Sequence, residues 1–125
     1  ENKLETITKK RIENAHFFDF LLSEIPQIQT LKRKKSYKEV FHLYVFTVKR
    51  RDELALFLQK KGIDAKIHYP VPMHLQPAAK KYNFNNNDFP IAQKLAEQTI
   101  SLPVHEFISK DQIKFVANSI QDFFN

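Results

Sequence analysis

A chain of 125 residues is long enough for one domain, and a 42% hydrophobic content that includes 12 Phe can supply its core. It holds no apolar run of about 18 residues and no charged-then-apolar leader, so neither a membrane span nor a signal peptide is expected. The absence of Cys excludes a disulfide framework and thiolate chemistry and accords with a cytoplasmic setting; the single Gly62 excludes a glycine-rich phosphate loop, so any phosphate-bearing cofactor must be held mostly by something else.

In chain order, the first predicted element is a long helix over residues 1–25. Leu4, Ile7, Arg11, Ala15, Phe18 and Leu22 recur at spacings of three and four, and Pro26 ends the run. At 1.5 Å per residue its stretch through Leu22 is about 33 Å long, more than so small a domain covers. It also begins without a visible cap, as though the chain were cut from something larger and the helix were a bridge. The net charge of +6 then concentrates at residues 32–39, where Lys32, Arg33, Lys34, Lys35 and Lys38 oppose only Glu39. Such a patch can meet nucleic acid or another polyanion, or be a solvated turn. The turn is favoured because the nearby aromatics read as strand-bound rather than free to stack on bases.

Residues 40–48, nearly all β-branched or aromatic, predict a central strand buried on both faces. Arg51-Asp52-Glu53-Leu54 opens a helix with acids in its first turn, Leu54, Phe57 and Leu58 inward, and Lys60-Lys61 at its end. Gly62 is the expected left-handed cap, and residues 63–68 return as a short strand. A helical turn is expected at residues 77–82 and an irregular connection at 83–88. Pro90 then starts a helix with Ala92, Leu95, Ala96 and Thr99 inward, and residues 100–105 form a short extended piece. Ser109 and Gln112 form a capping box for the last helix, whose core stripe is Ile113, Val116, Ala117, Ile120 and Phe124. Two or three strands covered by helices make an α+β layer, with a mainly antiparallel sheet.

The stretch Ile67-His68-Tyr69-Pro70-Val71-Pro72-Met73-His74-Leu75-Gln76-Pro77 is the first candidate site, because its prolines forbid ordinary helix or central strand and leave a stiff loop that presents polar side chains. His68 and Tyr69 suit either a strand-end pair satisfied by backbone groups or a cleft mouth that orients a polyhydroxyl or carboxylate ligand. His68, His74 and His105 have no carboxylate or Cys at ligand spacing, which argues against a metal. Neither Ser101 nor Ser109 sits in a nucleophile elbow, and Ser109 is already used as a cap.

Several motifs in order over nearly the whole chain carry a family resemblance. They are His42-Leu43-Tyr44-Val45, Arg51-Asp52-Glu53-Leu54, Gly62-Ile63, the proline-histidine loop, Phe89-Pro90-Ile91-Ala92, Leu95-Ala96-Glu97-Gln98 and Ser101-Leu102-Pro103-Val104-His105, with Arg11, Ala15, Phe18 and Leu22 fitting the helix that leads in. Together they resemble the C-terminal part of the DegT/DnrJ/StrS sugar aminotransferases. The resemblance implies the small domain of a fold-type I enzyme that uses pyridoxal 5'-phosphate to move an amino group, usually from glutamate, onto a keto group of a nucleotide-linked sugar, in a homodimer. It implies that the cofactor and its lysine belong to a preceding large domain and that this chain has no catalytic residue of its own. His68 and Tyr69 match the pair at the active-site edge that shapes the sugar-nucleotide pocket; His74 and Gln76 match the following, pocket-lining or loop-fixing positions; for His105 packing is implied. Gln93 and Glu106 depart from the family's usual Glu and Pro. A ligand-binding module without chemistry, or a nucleic-acid accessory domain using residues 32–38, are the alternatives.

Overall fold

The computed structural model describes residues 2–85 and 87–125. Asn86, inside the predicted 83–88 connection, and Glu1, where the first helix was expected to begin, lie outside them. The elements run α1 (Lys3–Leu22), β1 (Gln29–Thr30), β2 (Tyr44–Thr47), α2 (Arg51–Lys60), two 3-10 turns (Met73–Leu75 and Pro77–Tyr82), α3 (Pro90–Gln98), β3 (Thr99–Leu102) and α4 (Lys110–Phe124). The three strands form an antiparallel sheet in the order β1-β2-β3, with Tyr44 opposite Leu102, Val45 opposite Ser101 and Phe46 opposite Ile100.

Helix α1 has the cap that sequence reading missed: Asn2 Oδ1 accepts the Leu4 N–H at 3.2 Å. Only its second half is covered, with Asn14, Ala15, Phe18 and Leu22 buried while Leu4 is 69% exposed. Polar Asn14 is tolerated in that stripe because its Nδ2 donates to the His105 carbonyl at 2.9 Å. Helix α2 ends as the single glycine dictates. Gly62 has φ +77°, its N–H bonds Gln59 O at 3.0 Å, and the Ile63 N–H reaches back to Leu58 O at 2.9 Å, which together make a Schellman closure. Helix α4 carries the expected capping box, Ser109 N–H to Gln112 Oε1 at 2.8 Å and Gln112 N–H to Ser109 Oγ at 3.1 Å.

Two predicted strands are shorter than their composition suggests. In residues 40–48 only Tyr44–Thr47 pairs, because Phe41 turns into the left-handed region at φ 51° and Arg11 Nη1 takes the carbonyls of Phe41 and His42 at 3.1 and 3.2 Å. The Arg33 guanidinium, 4.6 Å from the centre of the Phe41 ring, helps hold a bulky residue where β-carbon sterics disfavour it. Residues 63–68 contribute a single bridge, Lys66 to Ser101, since Ile63 is spent on the helix exit.

Alternation along the strands separates two faces of the sheet. Tyr44, Phe46, Ile100 and Leu102 point one way and are fully buried with Phe18, Leu54, Leu58, Ile113 and Ile120 in the helix-covered core. The Phe18 and Tyr44 rings stack at 4.8 Å. Val45, Thr99 and Ser101 point the other way by the same alternation, toward the proline-histidine loop. Residues expected inward on α3 belong to that second side: Ala96 alone is buried, while Leu95 is 44% exposed.

The basic turn is held at one point and open elsewhere. Arg33 pairs with Asp19 and Glu39, and Tyr44 donates to Asp19 at 2.7 Å. Among the described residues Lys32, Lys34, Lys35 and Lys38 form no salt bridge. The nearby aromatics are not all strand-bound, since Tyr37 is 72% exposed beneath Lys34.

Candidate functional site

The proline-histidine loop and α3 flank an open cavity of about 640 Å³ on the second face of the sheet. His68, Tyr69, His74 and Gln76, the four predicted site residues, all line it. The Pro70-Val71-Pro72 rim leads into a 3-10 turn whose Leu75 N–H bonds Pro72 O at 3.0 Å. Gln76 ties the loop to itself, donating from Nε2 to Val71 O at 3.3 Å. With φ fixed at the prolines and these two bonds across the turn, the loop presents its side chains on a stiff frame.

The polar groups occupy distinct positions. His68 is half-buried, its Nδ1 lies 3.2 Å from Ser101 Oγ, and its ring meets Tyr69 edge-on at 5.7 Å. Tyr69 is 74% exposed at the mouth. His74 packs its ring 4.8 Å from Phe89, and its Nε2 is enclosed with no hydrogen-bond partner among the described residues. His105 does not join them; its side chain is exposed, its ring lies 6.3 Å from that of Phe107, and its carbonyl accepts from Asn14. Among the described residues no group of three or more His, Asp or Glu side chains has the arrangement of a metal site.

The opposite wall is apolar and was not read from the sequence as part of a site. Tyr82, Phe84 and Phe89 form it with Ala92, Leu95 and Ala96 of α3. Phe84 and Phe89 meet edge-on at 5.2 Å. The signal was present, since the α3 stripe has the right period; it points into a cavity instead of a filled core. Ser101 sits in no nucleophile elbow, but its contact with His68 gives it a place here. A few polar groups on one apolar cleft can orient a ring with hydroxyls on one side and bare carbons on the other. The lining does not fit a pyridoxal phosphate held by this chain alone: it has no Lys to carry the group and no Arg or Lys to meet its phosphate.

A family model described as the DegT/DnrJ/EryC1/StrS aminotransferase family matches residues 2–121. The chain belongs to this family. A pleiotropic regulatory protein of Geobacillus stearothermophilus is 32% identical over 123 residues, covering 97% of this chain and 33% of that protein. The dTDP-3-amino-3,4,6-trideoxy-alpha-D-glucose transaminase of Streptomyces venezuelae is 36% identical over 84 residues, covering 67% of this chain and 22% of that protein. The crystal structure of DesV from S. venezuelae superposes with a TM-score of 0.90 at 29% identity, over 95% of this chain and 32% of that one. The chain thus spans about a third of the length of the Geobacillus protein and of DesV. The two positions that the resemblance marks as departures, Gln93 and Glu106, each lie beside a polar side chain. Glu106 Oε2 forms an ion pair with Arg11 Nη2 at 3.4 Å, and Gln93 donates to Glu97 Oε1 at 3.3 Å.

Proposed function

We propose that this chain is the small domain of a pyridoxal-phosphate-dependent aminotransferase that moves an amino group from glutamate onto the keto group of a nucleotide-linked sugar. The observation that carries the reading is the convergence of His68, Tyr69, His74 and Gln76 on one cavity in a chain that matches an aminotransferase family over residues 2–121. Residues 1–25 would link it to a large domain that supplies the cofactor, its lysine and its phosphate contacts. That assignment accords with a cavity lining free of Lys and Arg. The enzyme works as a cytoplasmic homodimer in this reading, with this chain providing the substrate-side rim and no covalent chemistry. His68 and Tyr69 offer directional hydrogen bonds to sugar oxygens, and the Phe84 and Phe89 wall offers a dry surface to the carbons.

The test uses the complete protein that carries this chain. Addition of pyridoxal phosphate is expected to produce a visible absorption band, glutamate to bleach it, and a nucleotide-linked keto-sugar to restore it. A complete protein with no visible band after incubation with the cofactor would overturn the reading.

A further inference from the structure

Ser101 is 2% exposed in the middle of β3, and a buried hydroxyl must place its proton on an acceptor. Its backbone is already committed: the Ser101 N–H donates to Lys66 O at 2.8 Å and Ser101 O accepts from the Lys66 N–H at 3.0 Å. Alternation along β3 sends the Ser101 side chain to the loop side of the sheet, and there the one partner of Oγ among the described residues is His68 Nδ1 at 3.2 Å. If Nδ1 carried the proton, it would donate to Oγ and leave the serine proton without an acceptor. If Nδ1 is bare, the hydroxyl donates to it and both groups are satisfied.

We propose that Ser101 is a positioning residue that donates to His68 Nδ1, thereby holding His68 in its Nε2–H tautomer and presenting a hydrogen-bond donor, not a proton-accepting base, to the ligand in the cavity. The edge-on contact with Tyr69 limits the ring's rotation from the exposed side, so the Nε2–H direction is set by two neighbours. The ligand atom it suits is an oxygen that accepts, such as a sugar hydroxyl, a carbonyl or a carboxylate. That this oxygen belongs to a nucleotide-linked sugar rests on the function proposed above; the tautomer does not.

Protein labelled with 15N-histidine, with His68 assigned by comparison with His68→Gln, tests the tautomer directly by long-range proton–nitrogen correlation at a pH where imidazole is neutral. The expected spectrum has a pyridine-like Nδ1 and a pyrrole-like Nε2, Ser101→Ala shifts the pair toward a tautomeric mixture, and Ser101→Thr, which keeps the hydroxyl, restores it. A protonated Nδ1 in the unsubstituted protein, or an unchanged pair in Ser101→Ala, overturns the proposal, and the first of these needs no variant to fold. In the complete enzyme Ser101→Ala is expected to slow transfer to the sugar about fivefold with the glutamate step unchanged, the effect of one weakened hydrogen bond. Unchanged sugar kinetics with an altered tautomer would overturn the ligand contact. Absence of aminotransfer from the unsubstituted enzyme would overturn the function and leave the tautomer result standing.

Discussion

Arg51 is a buried charged side chain that ties two stretches of backbone together. It is 6% exposed, and its Nη1 donates to Ala96 O at 2.8 Å and Thr99 O at 3.1 Å, the last turn of α3 and the first residue of β3. The site wall and the sheet therefore share one guanidinium, whose Nε is balanced by Asp52 at 2.7 Å. Arg51→Ala leaves those carbonyls unpartnered and is expected to cost about 2–3 kcal/mol in chemical denaturation. Arg51→Lys should recover only part of this, because an ammonium lacks the fork. Tyr44 gives a second residue-scale prediction. Burial, together with its hydrogen bond to Asp19, raises the phenol well above its ordinary value of about 10. The native state then keeps a proton that the unfolded chain releases, so this stabilisation is complete below pH about 10 and is lost as pH rises beyond it. Above that pH the unfolding free energy should fall more steeply than in Tyr44→Phe, by about 1.4 kcal/mol per pH unit. Parallel profiles would contradict it.

Whole elements were legible where their instructions are local. The Ser109 and Gln112 box and the Gly62 closure are written within six residues of chain, and both stand where spacing put them. Ser109→Ala should therefore lower stability by about 1 kcal/mol in thermal or urea unfolding, with the fold retained. The strands were over-read because what shortens them is remote. Val40 to Leu43 has the composition of a strand, but Arg11, 30 residues earlier in the chain, captures the Phe41 carbonyl. Two-residue β1 has no pattern long enough to show, since Gln29 and Thr30 pair only through Thr47 and Phe46. In α3 the period was right and its destination hidden: a stripe facing a cleft and a stripe facing a core look alike in sequence.

For the molecule as a whole, the sheet divides the labour. One face is sealed by α1, α2 and α4 around Phe18, Tyr44, Phe46 and Ile100, and the other carries the loop, α3 and the cavity between them. His68, Tyr69, His74 and Gln76 could be grouped from the sequence because they lie within one proline-stiffened stretch, whereas the Phe84 and Phe89 wall comes from a separate segment that only folding brings opposite. A rim of this kind is expected to affect one half of a transamination and spare the other. The direct measurement is the pair of single-turnover half-reactions in the complete protein with His68→Ala. Cofactor loading and the glutamate half-reaction should match those of the unsubstituted enzyme, while transfer to the nucleotide-linked keto-sugar slows about tenfold, the equivalent of about 1.4 kcal/mol. An unaltered sugar half-reaction, or equal slowing of both, would contradict a substrate-side role for this loop.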